Sequence, residues 1–286
     1  MSAPQVWTVV ELLRVTAPYL AKKGSASARL DAELLLAETL GLPGRVELYL
    51  QHDRPLTGGE VEGYRELVRR RSQGEPVAYL LGRARFYEEE LEVTPAVLVP
   101  RPDTETLVEA ALARLPAEAT GRLADVGTGS GAVAIALARK RQGLTVVATE
   151  LSPTAAAVAR RNVARYGLEA RVQVVVTDLL AGVDGPFDVV VSNPPYIAAD
   201  DPRVEPGVRR FEPGLALFSG TDGLDVIRRL LVDVPPRLAP GGALLVEVGA
   251  GQAPAASEVA LAAGWTGVAA RKDLSGIERV IELTRS

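Results

Sequence analysis

The stretch Leu123-Ala-Asp-Val-Gly-Thr-Gly-Ser-Gly131 decides the fold. Four residues of strand character run into glycines at alternate positions, and Gly131–Arg139 continues as an apolar helix. Glycine lets the backbone turn tightly and lets a ligand approach the peptide groups without meeting a Cβ. A strand, such a turn and a helix open an α/β sheet, in which ligands bind beyond the carboxyl ends of the strands.

Downstream of this unit, strand and helix patterns alternate. Strands are expected at Leu123–Val126, Thr145–Thr149, Val172–Val176, Val189–Ser192 and Ala243–Val248. Helices are expected at Pro153–Tyr166, Leu224–Leu238 and Ala253–Ala263. Two last strands, Gly267–Arg271 and Arg279–Leu283, have no helix between them and should pair antiparallel. The expected sheet is therefore seven-stranded, mostly parallel and covered by helices on both faces.

Upstream, the pattern is helical. Val6–Leu20 and Arg29–Leu40 carry apolar residues at helical spacing, a short piece follows near Val46–Leu50, and Thr57-Gly-Gly-Glu60 matches a capping box. Residues 1–75 thus read as a small helical domain. Residues 76–102 read as a β-hairpin linker, with strands at Tyr79–Phe86 and Leu91–Val99 around the acidic run Glu88–Glu90. A helix over Thr104–Leu115 then opens a catalytic domain spanning 103–286. The Arg69-Arg70-Arg71 cluster at a helix end suits the helix dipole and reads as a solvated face.

Composition narrows the chemistry. With 32 Lys+Arg against 36 Asp+Glu, the chain of 286 residues is mildly acidic, which speaks against a stable nucleic-acid partner. It has no Cys and one His, His52. Disulfides, thiolate nucleophiles and Cys-ligated metals are excluded, and no metal site is expected. No stretch has the apolar length of a membrane span, so a cytoplasmic protein is expected. Arg outnumbers Lys 28 to 4 and only Asn162 and Asn193 are Asn, which suits either heat exposure or a GC-rich genome.

The glycine spacing identifies the ligand class. Gly127, Gly129 and Gly131 form G-x-G-x-G, neither the dinucleotide fingerprint nor the Lys-containing phosphate loop. Glu150 ends the next strand, where a carboxylate can accept both hydroxyl protons of a ribose. Asp178 and Leu179 follow the third strand, near where an adenine would lie. Together with Thr128 and Ser130, these residues suit a nucleoside without phosphates, such as S-adenosylmethionine. Asp125 either orders the loop or meets the ligand's ammonium group.

Asn193-Pro-Pro-Tyr196 follows the apolar run Val189-Val-Val191. An amide nitrogen or exocyclic amine is a poor nucleophile because its lone pair is delocalised. Two acceptors aimed at its N–H bonds orient it and stabilise the positive charge that develops during attack on a methyl sulfonium. Asn193 supplies one acceptor through its side-chain oxygen, and the Pro194 carbonyl is the other. Pro194 and Pro195 stiffen the backbone, and Tyr196 offers a flat face for a planar amide. A nucleoside-binding module without catalysis has no need of a rigid acceptor pair.

Leu98-Val-Pro-Arg-Pro-Asp-Thr-Glu105, Asp125–Gly131, Glu150, Ser192–Ile197, Arg210-Phe-Glu-Pro213 and the Lys272–Val280 region together resemble the PrmC/HemK family of release factor glutamine methyltransferases. The resemblance covers essentially the whole chain. It implies a class I S-adenosylmethionine-dependent methyltransferase, Rossmann-like, preceded by a small helical domain that helps to hold the substrate. It also implies methyl transfer to the Gln of the Gly-Gly-Gln loop in class I peptide chain release factors. Carried over, Gly127, Gly129 and Gly131 cradle the cofactor, Glu150 takes the ribose, and Asn193, Pro194 and Tyr196 bind the Gln. Leu179 stands where some members carry an aromatic residue, so stacking on the adenine becomes plain apolar contact. Arg101 and Asp103 shape the active-site edge. A glutamine of a ribosomal protein, and more distantly a base of DNA or RNA, are the alternative acceptors.

Overall fold

The computed structural model describes residues 6–118 and 120–285. Contacts divide the chain into two units, Met1–Gly82 with Val204–Phe211, and Arg83–Arg203 with Glu212–Ser286.

The first unit is built from α1 (Val9–Lys22), α2 (Ala28–Thr39), α3 (Val46–Leu50), α4 (Gly58–Arg71) and α5 (Val77–Leu81). The Thr57 capping box forms: the Glu60 amide donates to Thr57 Oγ1, and the Thr57 amide returns to Glu60 Oε2 at 2.7 Å. Leu20, Leu35, Leu36, Leu48 and Tyr64 fill the core. The arginine cluster is spent inside this unit: Arg69 pairs with Glu66, Arg70 with Glu75, and Arg71 with the buried Asp31.

Two strand expectations need correction here. Tyr79 belongs to the helix α5, which opens after Pro76 and closes on Gly82 at φ 69°. The short apolar run fits either period, and the left-handed Gly82 ends it as a helix. The hairpin is therefore shorter than expected: β1 (Arg83–Phe86) pairs antiparallel with β2 (Glu89–Glu92). The segment after Glu92 turns at Thr94, where the Val97 amide donates to the Thr94 carbonyl at 3.0 Å. The hairpin's acid groups are also spent internally, Glu88 on Lys140, Glu89 on Arg139, Glu90 on Arg165 and Glu92 on Arg161.

The second unit continues with α6 (Glu105–Arg114), β3 (Gly121–Val126), α7 (Ala132–Lys140), β4 (Leu144–Glu150), α8 (Pro153–Arg165), β5 (Val172–Val176) and β6 (Phe187–Ser192). After α9 (Pro206–Phe211), which groups with the first unit and has no periodic signal, come α10 (Asp225–Asp233), β7 (Leu238–Glu247), α11 (Ala253–Ala262), β8 (Gly267–Lys272) and β9 (Glu278–Thr284). The tenth helix stops before the expected Leu238 because Pro235-Pro236 cannot continue it.

Seven strands form one sheet in the order β5-β4-β3-β6-β7-β9-β8, parallel except that β9 runs antiparallel to both neighbours. Alternate residues feed alternate faces. Leu123, Val189, Val191 and Leu245 pack with α6 and α7, whereas Ala124, Val190, Leu244 and Val246 pack with α10 and α11. Chain order runs outward from β3 to β5 in one direction and from β6 to β7 in the other, with β9 set between β7 and β8. Such a reversal opens a crevice at the strand carboxyl ends.

Candidate active site

The crevice lies where that reversal predicts. The glycine loop leaves β3 and the Asn193 segment leaves β6, neighbouring strands paired at Val126 and Ser192. One cavity is lined by Asp125, Gly127, Thr128, Gly129, Ser130, Glu150, Asp178, Leu179, Asn193, Pro194 and Pro195. Eleven expected site residues from four chain segments thus meet.

The loop is built to be approached, not to hold phosphate. Gly127 and Gly129 have φ of 75° and 56°, and a Cβ at either would meet open space. The amides of Gly127 and Thr128 donate to the Thr149 carbonyl, that of Gly129 to Glu150 and that of Gly131 to Thr128. Amides already donated within the chain offer no nest for a phosphate. Gly131, expected to cradle a cofactor, does not line the cavity. A Cβ there would stand 3.3 Å from Ile135 Cδ1 and 3.6 Å from Ala159, so its hydrogen serves helix packing.

Two carboxylates are fixed by the same backbone. Glu150 Oε2 accepts from the Gly129 amide and Oε1 from the Ser152 amide, each at 2.9 Å. Each oxygen keeps a further lone pair, enough for two ribose hydroxyls. Asp125 Oδ2 accepts from Thr128 Oγ1 at 2.6 Å and from the Ala134 amide at 3.1 Å, so this residue orders the loop. Its Oδ1 has no partner among the described residues, and burial pushes the carboxyl up to about 6. Such a group gains from a cation in the cavity, so both open roles of Asp125 are compatible. Asp178 is held by Arg229 at 2.6 Å, and Leu179 sits beside it at φ 48°. A carboxylate with two oxygens still able to accept, an apolar residue beside the third strand and a buried carboxyl that would gain from a cation are features that S-adenosylmethionine fits.

Asn193 Nδ2 donates to Thr104 Oγ1 at 3.0 Å. Neither its Oδ1 nor the Pro194 carbonyl accepts a hydrogen bond among the described residues, so both acceptors are open. Tyr196 does not line the cavity. Its hydroxyl lies 3.4 Å from Glu247 Oε1, and its carbonyl accepts from Gln252 Nε2 at 2.8 Å. Burial holds the phenol above its usual range. Glu247 is buried as well, and burial raises its carboxyl to about 7 against the pull of Thr104, Tyr196 and Arg279.

Sequence reasoning missed Arg229, Thr104 and Glu247 as parts of the site. Arg101 reaches its edge and is held by the buried Glu212, whose other oxygen accepts from the Val99 amide. Asp103 pairs with Arg279 at 2.8 Å. No His, Cys, Asp and Glu grouping that could hold a metal occurs among the described residues, and none of their helices is long and apolar enough to cross a membrane.

Comparison with known proteins bears on this site. Residues 11–82 match the PrmC N-terminal domain family, and residues 103–208 match the methyltransferase small domain family. The chain is 44% identical over 280 residues to a release factor glutamine methyltransferase of Geobacter sulfurreducens, covering 97% of each. It is 41% identical to that of Chlorobaculum tepidum, covering 98% of each. Among solved structures, the ribosomal protein L11 methylase of Lactobacillus delbrueckii subsp. bulgaricus has a TM-score of 0.51 at 21% identity, over 71% of this chain and 89% of that one. A methyltransferase from Pyrococcus furiosus gives 0.51 at 22%, over 68% and 87%. These two likenesses show the fold.

Proposed function

The chain belongs to the release factor glutamine methyltransferase family, and from that premise we propose that it methylates the side-chain amide nitrogen of the Gln in the Gly-Gly-Gln loop of class I peptide chain release factors. It is an S-adenosylmethionine-dependent enzyme. The observation that carries the substrate reading is the open acceptor pair, Asn193 Oδ1 and the Pro194 carbonyl, at the edge of a cofactor-type cavity. A primary amide has two N–H bonds, and two acceptors satisfy both.

When bound, the cofactor supplies an electrophilic methyl group. In this reading Gly127 and Gly129 let it lie against the loop, Glu150 takes the ribose hydroxyls, Asp125 faces the ammonium group, and Asp178 and Leu179 border the adenine. Asn193 and Pro194 orient the amide and stabilise its nitrogen as positive charge grows there. No general base is required, because a charged N-methyl amide is acidic and loses its proton to water. Tyr196, which lies outside the cavity lining, fixes the far end of the tetrapeptide through Glu247 and Gln252. Residues 1–75 hold the release factor, and the reaction takes place in the cytoplasm.

The test mixes the protein with labelled S-adenosylmethionine and a class I release factor, followed by mass spectrometry of the Gly-Gly-Gln peptide. One added methyl on that Gln is expected, with roughly a hundredfold loss of turnover in Asn193→Ala and little change in cofactor binding. A methyl placed elsewhere, or equal turnover by the variant, refutes the assignment. A ribosomal protein glutamine is then the next acceptor to assay.

A further inference from the structure

An asparagine amide has nearly the same shape in its two flipped states, so its neighbours decide which end faces the cavity. The acceptor role assigned above requires the oxygen. We propose that Thr104, backed by Glu247, is a positioning residue that holds the Asn193 carboxamide with Oδ1 toward the cavity. This rests on the functional reading just given and adds to it what sets the acceptor.

Thr104 is buried at the end of a single 3-10 turn, Pro102–Thr104, and its hydroxyl receives Asn193 Nδ2 at 3.0 Å. A hydroxyl has one proton to give and lone pairs to receive. Given to Asn193, the proton would hold the amide in the wrong state; given elsewhere, it leaves the oxygen to accept from Nδ2. Glu247 is the elsewhere. It ends β7 one residue beyond the Ser192–Val246 pair, which places it beside Asn193 in the register of the sheet. Burial raises its proton affinity, the nearby Thr104 and Tyr196 hydroxyls and Arg279 lower it, and Asp103 raises it. Glu247 Oε2 has no hydrogen-bond partner among the described residues.

Once ionised, above about pH 7, this carboxylate only accepts, and its open Oε2 gives the Thr104 proton an acceptor other than Asn193. The same group meets the Tyr196 hydroxyl at 3.4 Å. One buried carboxyl therefore governs both ends of the tetrapeptide. A leucine would fill the space without an unpaired oxygen, and the polarity it imposes gives this costly group a purpose.

Full-length Thr104→Val, Thr104→Ser, Glu247→Gln and the Val/Gln double variant test this against a class I release factor at about pH 8, where Glu247 is ionised. Thr104→Val should lower kcat roughly tenfold or more, with release-factor KM and cofactor Kd within about twofold of wild type. Thr104→Ser should recover kcat to within about threefold, and the double variant should be no slower than the slower single, because the relay acts as one unit. Unchanged kcat in Thr104→Val, no recovery by Ser, or additive losses would overturn the relay. Should Thr104→Val not fold, Thr104→Ala gives the same reading. If wild type transfers no methyl to the release factor, the functional reading fails instead. The relay is then read from the Asn193 side-chain NH2 signals in NMR, which must lose their hydrogen-bonded shift in Thr104→Val and keep it in Thr104→Ser.

Discussion

Glu247→Gln should change how folding stability depends on pH. The native carboxyl titrates near 7, raised by burial from the ordinary 4.5. Between those values the folded chain holds a proton that the unfolded chain has released, so stability falls as pH rises through the window. Integrating that difference from about pH 5.5 to about pH 8 gives about 2 kcal/mol lost by wild type through this one group. Glutamine does not titrate, so the variant escapes that loss. Any pH-independent cost of the substitution cancels when each protein is compared with itself. The assay is urea unfolding of both proteins at the two pH values, monitored by Trp265, which is buried against the same sheet. The pH-dependent change should be smaller in Glu247→Gln by about 2 kcal/mol. Equal changes would show that Glu247 titrates in the ordinary carboxylate range, and the account of its burial would fall.

Cofactor affinity should weaken as pH drops through about 6, because Asp125 then takes up a proton and no longer faces an ammonium group as an anion; calorimetry showing the same Kd at pH 5 and 7.5 would contradict this. Glu150→Ala should raise the cofactor Kd by roughly ten- to a hundredfold, the worth of hydrogen bonds to a charged acceptor, and an unchanged Kd removes it from the ribose. Gly223→Ala should lower stability by about 1–3 kcal/mol and depress methylation, since its Cβ would lie 2.2 Å from the Tyr196 carbonyl at φ +80°. Thermal unfolding that matches wild type would show that the tetrapeptide can move aside.

What could be read from the chain depended on the range of the interactions. The glycine loop, Glu150 and Asn193–Tyr196 each announce themselves within a few residues, and short continuous apolar runs mark the buried strands that carry them. The run Tyr79–Leu81 was ambiguous because three apolar residues fit either period, and only the left-handed Gly82 resolves it. Thr104 and Glu247 were illegible as site residues. Thr104 lies 89 positions from the side chain it touches, and a lone Thr or Glu has no local pattern. Gly131 shows the opposite failure: it fits the loop's spacing, yet its task is to admit Ala159.

The pairing of Val126 with Ser192 makes the sheet a ruler between two half-sites. The cofactor loop and the acceptor segment depart from adjacent strands at one level, so their separation is tied to interstrand spacing. A one-residue insertion within β6 would carry Asn193 about 3.3 Å along the strand and turn it to the opposite face. An insertion in the loop after α8 moves neither end of the ruler. Length variation should therefore be tolerated in the connections and lethal to turnover in β3 and β6, a pattern that an insertion scan of the whole chain would trace residue by residue.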